Sequence, residues 1–147
     1  MKKRIKRIIS SALLVSFAFC GELGYALDKK EEVKQYLSKV NPILTEVQVI
    51  ARNISQRFWS PQVSGKQMQG YIDSLRSLIP PQCMAKQHKM ILLSLEKLKT
   101  GFYALAAGNR PLSISLVKRG GELLRIAVKD IVDFAKKEGL VKDAGQE

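Results

Sequence analysis

Histidine occurs once in this chain, as His88, and that scarcity removes most schemes in which a base is oriented beside a nucleophile. No Cys-x-x-Cys-His is present to attach a haem, and no Glu-x-x-His pair to build a di-iron centre. Asp73 and Glu96 have no spacing that would pair them for glycoside chemistry. No stretch shows the strict apolar–polar alternation of a half-buried strand. The largely apolar run from Ile8 to Phe19 is twelve residues, short of the roughly 20 that cross a bilayer. Cysteine occurs only as Cys20 and Cys83; if the first leaves with a leader, no disulfide can form within the chain. Cys83 is then expected as a packed thiol, the alternative being a bridge between chains. Acidic residues are also few, 13 against 25 lysines and arginines, leaving a formal charge of +12.

What is present begins with an export signal. Lys2, Lys3, Arg4, Lys6 and Arg7 precede the apolar run, and Gly24-Tyr25-Ala26 places small residues where a signal peptidase reads them. Residues 1–26 are therefore expected to be a signal peptide and 27–147 one mature domain. Two other endings stay open. Cys20 is a candidate for lipidation, although the Phe19 ring stands where lipoprotein signals carry a small residue. An uncleaved anchor would have to extend to Leu27 and bury Glu22. Each ending delivers Asp28 onward across a membrane, so the expected location is periplasmic or secreted.

Helical periodicity dominates the mature segment. A first stripe reads Val33, Leu37, Val40, Leu44, Val47, Ala51, Ile54 and Phe58, with a capping box at Asp28 and Glu31 and an outward Pro42 that kinks the helix. Ser60-Pro61 marks a loop, and Ser64 with Gln67 suggests a second capping box. The stripe Met68, Tyr71, Ile72, Leu75, Leu78, Ile79 ends at Pro80-Pro81. Pro81 opens a third helix carrying Met84, His88, Ile91, Leu95, Leu98, Phe102 and Leu105, closed by Gly108-Asn109. A fourth, from Pro111 to about Gly139, carries Ile114, Val117, Gly121, Leu124, Val128, Ile131 and Ala135. The fold class is all-α, a four-helix up-and-down bundle, with three long helices bent at Pro80-Pro81 as the alternative. Gly120-Gly121 is costly inside a helix, about 1 kcal/mol per glycine, and implies close packing against Gly121, with Phe102 as a candidate neighbour, or else a small ligand cavity.

Charge is unevenly spread. Residues 27–46 and 122–147 are nearly neutral, whereas residues 47–121 carry eleven basic side chains against Asp73 and Glu96 alone. A surplus of this kind attracts an anionic partner: anionic lipid, an envelope polymer or an acidic protein. Nucleic acid is disfavoured, because no base-reading motif accompanies the charges. Lys86, Lys89 and Lys97 on the third helix have only Glu96 close by, and Arg57 and Trp59 with Phe58 could add an interfacial anchor. The competing explanation is a set of solvated lysines that keep a small protein soluble. On the fourth helix Lys118, Glu122, Arg125, Lys129 and Asp133 alternate in sign, as mutual surface pairs do.

Pro80-Pro81, then His88, then the leucine-rich run to Gly108-Asn109 and the segment Leu123 to Ala127 together resemble a pattern in uncharacterised exported bacterial helical proteins. The resemblance covers about residues 72–127 and implies a small envelope-facing bundle in which His88 serves an inter-helix turn; it implies no activity or ligand set. A non-enzymatic exported binding protein without a cofactor is the expected function. A carrier of metal, haem or another ligand, using His88, Met84 and Met68, is the second possibility. A structural homo-oligomer is the third.

Overall fold

The computed structural model describes residues 25–54 and 59–140, and the side chains from Lys29 onward. The leader up to Gly24, the loop residues Arg57 and Phe58, and the polar tail from Lys142 lie outside the described residues.

Four α-helices follow one another: α1 Tyr25–Asn53, α2 Pro61–Arg76, α3 Ala85–Ala106 and α4 Arg110–Lys137, with a 3-10 turn at Gln82–Met84 before α3. The described residues contain no strand. Ser77 to Pro81 is non-helical, so α2 and α3 are separate elements and the three-helix alternative falls. Two consecutive prolines deny the backbone the donors a continuing helix needs.

The caps differ from the sequence expectation in an instructive way. Ser60, not Ser64, caps α2, its Oγ accepting from Val63 N–H at 3.4 Å with Pro61 at the first helical position. Ser64 is buried within the first turn instead. Helix α1 begins three residues before Asp28, which is therefore not its N-cap. Gly108 takes the left-handed φ of 81° that ends α3, but Asn109 belongs to the next helix, capping α4 by accepting from Leu112 N–H. Gly139, at φ 65°, ends α4 in a Schellman motif: Leu140 N–H donates to the Ala135 carbonyl at 2.8 Å and Gly139 N–H to that of Lys136 at 3.0 Å. Leu140 is buried beside it.

Neighbouring helices are antiparallel throughout. Gly101 faces Leu116 and Val117 while Gly120 faces Leu98 and Ser94. On the other side of α3, Gly65 lies under the Tyr103 ring and Arg76 pairs with Glu96 at 2.6 Å. Lys99 Nζ donates to Gln69 Oε1 across the same seam at 2.8 Å. Tyr36 and Lys39 of α1 line one groove with Leu78 beyond α2, placing α1 antiparallel to α2. The chain thus runs up, down, up, down.

The core is built mainly from the stripes of the first three helices, with Val33, Leu37, Val40, Leu44, Val47, Met68, Ile72, Leu75, Met84, Ile91, Leu95, Leu98 and Phe102 all buried, and Ile131 and Ala135 of the α4 stripe join them. Pro42 is exposed inside α1, which continues through it. Two positions leave their stripes: Ile54 is exposed, and Ile79 is 94 % exposed.

Helix α4 departs most. Ile114 is exposed at 62 %, and the buried positions in its first five turns are Ser113, Gly120 and Ala127, seven residues apart. Helix α3 buries Ser94 and Gly101, also seven apart, with Ser94 against Gly120 and Gly101 against Leu116 and Val117, so small residues admit the partner helix at both places. A Cβ on Gly120 would stand 3.0 Å from both Leu98 Cγ and the Ser94 carbonyl oxygen, and Ser94 Oγ donates to the Gly120 carbonyl at 2.7 Å. Gly121 has open space. The close contact is therefore at Gly120 against Leu98 and Ser94, not at Gly121 against Phe102. One helical step separates the two glycines, and apolar periodicity alone chose the wrong one.

The two glycines predict opposite outcomes in urea or thermal unfolding. Gly120→Ala pushes against a backbone carbonyl and should cost about 1–3 kcal/mol. Gly121→Ala meets nothing and should stabilise by up to about 1 kcal/mol through helix propensity.

Candidate functional site

At about 3.6 residues per turn, Lys86, Lys89, Leu93 and Lys97 fall within about 80° of arc on α3. They sit on the side away from Ile91, Leu95 and Phe102, which face the core. Lys86 and Lys89 are exposed and Lys97 is half-buried. None of the three forms an ion pair among the described residues. Glu96, the nearest acid in sequence, is held by Arg76. At the centre of this arc Leu93 is 44 % exposed.

Trp59 is not part of that face. Its ring meets Phe102 edge-on, 5.6 Å between centroids at 72°, on the core side of α3, and its Nε1 is buried without a partner among the described residues. The indole is packed as a lid on the core. Along α4 the alternating charges do pair: Arg125 with Glu122 and Lys129 with Asp133, both at 2.7 Å. The Arg125 hydrogen bond holds the Glu122 carboxyl below its ordinary value. Cys83 is exposed at the 3-10 turn, which corrects the packed thiol expected from sequence. The tight turn directs Met84, and not its neighbour, into the core.

His88 is buried in the core stripe and its Nδ1 lies 3.0 Å from Tyr36 Oη of α1, the rings tilted at 57°. The partner is thus a side chain from another helix, not a group of the Pro80-Pro81 turn. Tyr36 escaped notice because it lies one position off the α1 stripe, beside Leu37. Burial pushes the Tyr36 phenol up to about 12 and holds the His88 imidazole below its ordinary value. With a neutral imidazole and a protonated phenol, the direction of this bond follows the tautomer: the hydroxyl donates to Nδ1 when the ring proton resides on Nε2, and accepts from Nδ1–H otherwise. Met84 and Met68 are both fully buried. The described residues hold no group of three or more His, Cys, Asp or Glu that could share a metal ion.

Tyr36 also floors an open groove of about 360 Å³ between α1 and the α2–α3 connection, with Glu32, Gln35 and Lys39 on one wall and Leu78 to Gln82 on the other. Its chemistry is mixed, neither a cationic cradle nor an apolar slot.

The buried imidazole makes stability depend on pH. Its folded pKa lies below the unfolded value of 6.5, so the folded state binds fewer protons than the unfolded one. The contribution of neutral His88 is complete above 6.5 and is lost as pH falls through the lowered pKa. Urea unfolding between pH 7 and 5 should show stability falling with acidity, and His88→Leu should flatten that slope. Tyr36→Phe, which leaves the imidazole nitrogen without its hydrogen-bond partner, should cost about 1–3 kcal/mol at pH 7.

No protein-family model matches the chain, and neither a curated protein nor a solved structure matches it.

Proposed function

We propose that this chain is an exported, non-enzymatic helical-bundle protein that binds an anionic partner through the outer face of α3. The observation that carries the proposal is the arc of Lys86, Lys89 and Lys97, unpaired among the described residues and opposite the core, with Glu96, the acid nearest in sequence, already paired with Arg76. Unpaired cations gathered on a rigid helix face keep their full field and need no rearrangement to meet a negative surface. The leader supports the extracytoplasmic setting, and no described helix is long and apolar enough to cross a membrane.

A site must be distinguished from net charge. Lys86, Lys89 and Lys97 changed together to Gln should elute from a phosphorylated resin at clearly lower salt than the parent. A control with Lys29, Lys30 and Lys39 changed to Gln removes the same charge from exposed positions on α1 and should move elution less. Equal shifts in the two variants would reduce the lysines to general solubilising charge and refute the proposal.

A further inference from the structure

We infer that the anionic partner is a lipid bilayer, on which the outer side of the α3–α4 pair lies flat with Leu93 and Leu112 entering the headgroup layer. This rests on the anionic-surface proposal and adds an apolar component to it.

The positions follow from helix geometry. Helices α3 and α4 are antiparallel, with Leu98 against Gly120 and Gly101 against Leu116 and Val117. Val117, Leu124 and Val128, on one flank of the Gly120 line, pack against the core. The other flank carries Leu112, Leu116, Arg119, Leu123 and Ile126 and turns the same way as the lysine arc of α3. Leu112 is 45 % exposed, close to the value for Leu93, and Leu116, Leu123 and Ile126 are half-buried between the two helices. Arg119 is exposed and level with Lys97, since Leu98 and Gly120 are opposite one another. Asp130 is the acid on this flank, near the level of Lys86; Glu122 lies round the helix, bonded to Arg125.

The face therefore combines two leucines about 19 Å apart along the bundle axis with four cations, Lys86, Lys89, Lys97 and Arg119. A sugar or phosphate polymer would satisfy the cations and leave the leucines in water. An anionic bilayer satisfies both, because apolar side chains gain from the acyl boundary while lysine stems reach headgroup phosphates. Neither contribution alone gives stable attachment, and a face that supplies both meets the usual requirement for two signals.

The test uses vesicles of phosphatidylglycerol with phosphatidylcholine, vesicles of phosphatidylcholine alone, and polyphosphate as a lipid-free polyanion. The parent chain should sediment with the anionic vesicles and not with the neutral ones. Leu93→Ser with Leu112→Ser, both at exposed positions, should weaken vesicle binding about tenfold and leave polyphosphate binding unchanged. Undiminished vesicle binding by that variant would overturn the inference, as would equal loss on polyphosphate, or parent binding to polyphosphate without vesicles. A lysine triple variant that keeps its binding to both would instead remove the underlying anionic-surface proposal. Leu93→Trp gives a second measurement: its added emission should shift to the blue with anionic vesicles, and an unshifted emission would count against insertion.

Discussion

The approach of α3 and α4 at Gly120 governs the rest of the bundle. With Ser113, Gly120 and Ala127 on one side and Ser94 and Gly101 on the other, the two backbones come close enough for a serine hydroxyl to reach a carbonyl across the seam. At this separation the Leu98 and Val117 side chains pack directly onto the glycine backbones opposite, and the other large apolar residues of α4 are sorted to either flank. Those on the inner flank, Val117, Leu124 and Val128, reach the common core. Those on the outer flank cannot, and they remain half-exposed beside the lysines. A tight seam and a partly apolar outer face are thus two results of one packing choice.

Elsewhere the helices are fastened differently. Between α2 and α3 a second close approach, Gly65 under Tyr103, is accompanied by a polar ladder from Arg76 and Glu96 to Lys99 and Gln69. Helix α1 depends on large side chains and on the Tyr36–His88 hydrogen bond. That bond is a polar link between α1 and α3, buried where an unpaired imidazole nitrogen would be expensive. The groove beside it follows from geometry: two prolines swing the connection outward, and the space between it and α1 is only partly filled.

Much of this architecture was legible in the residues. The stripes of α1 to α3 named nearly all the buried apolar side chains, and Pro80-Pro81 and Gly108 marked real helix ends. The α4 stripe was legible at Val117, Leu124, Val128, Ile131 and Ala135, which reach the core, but its line of contact with α3 was not, because Ser113, Gly120 and Ala127 carry little hydrophobic signal. Ile114 and Gly121 fitted an apolar repeat that the protein does not bury. The cap of α2 was displaced by four residues because Ser60 and Ser64 each precede a plausible first turn, and only Ser60 has proline immediately after it. Of the candidate site, the lysine arc could be read from spacing alone. The separation of Trp59 from it could not, since that depends on which side of α3 the loop crosses. Leu112 and Arg119 were hidden for the same reason as that line of contact.

Trp59 is the chain's single tryptophan, and its ring is wedged edge-on against Phe102 at the end of the bundle where α1 passes into α2. Intrinsic ultraviolet emission therefore monitors one junction. It registers fraying or tightening of that end, and events along the opposite flank of α3 reach it only if they disturb the whole fold.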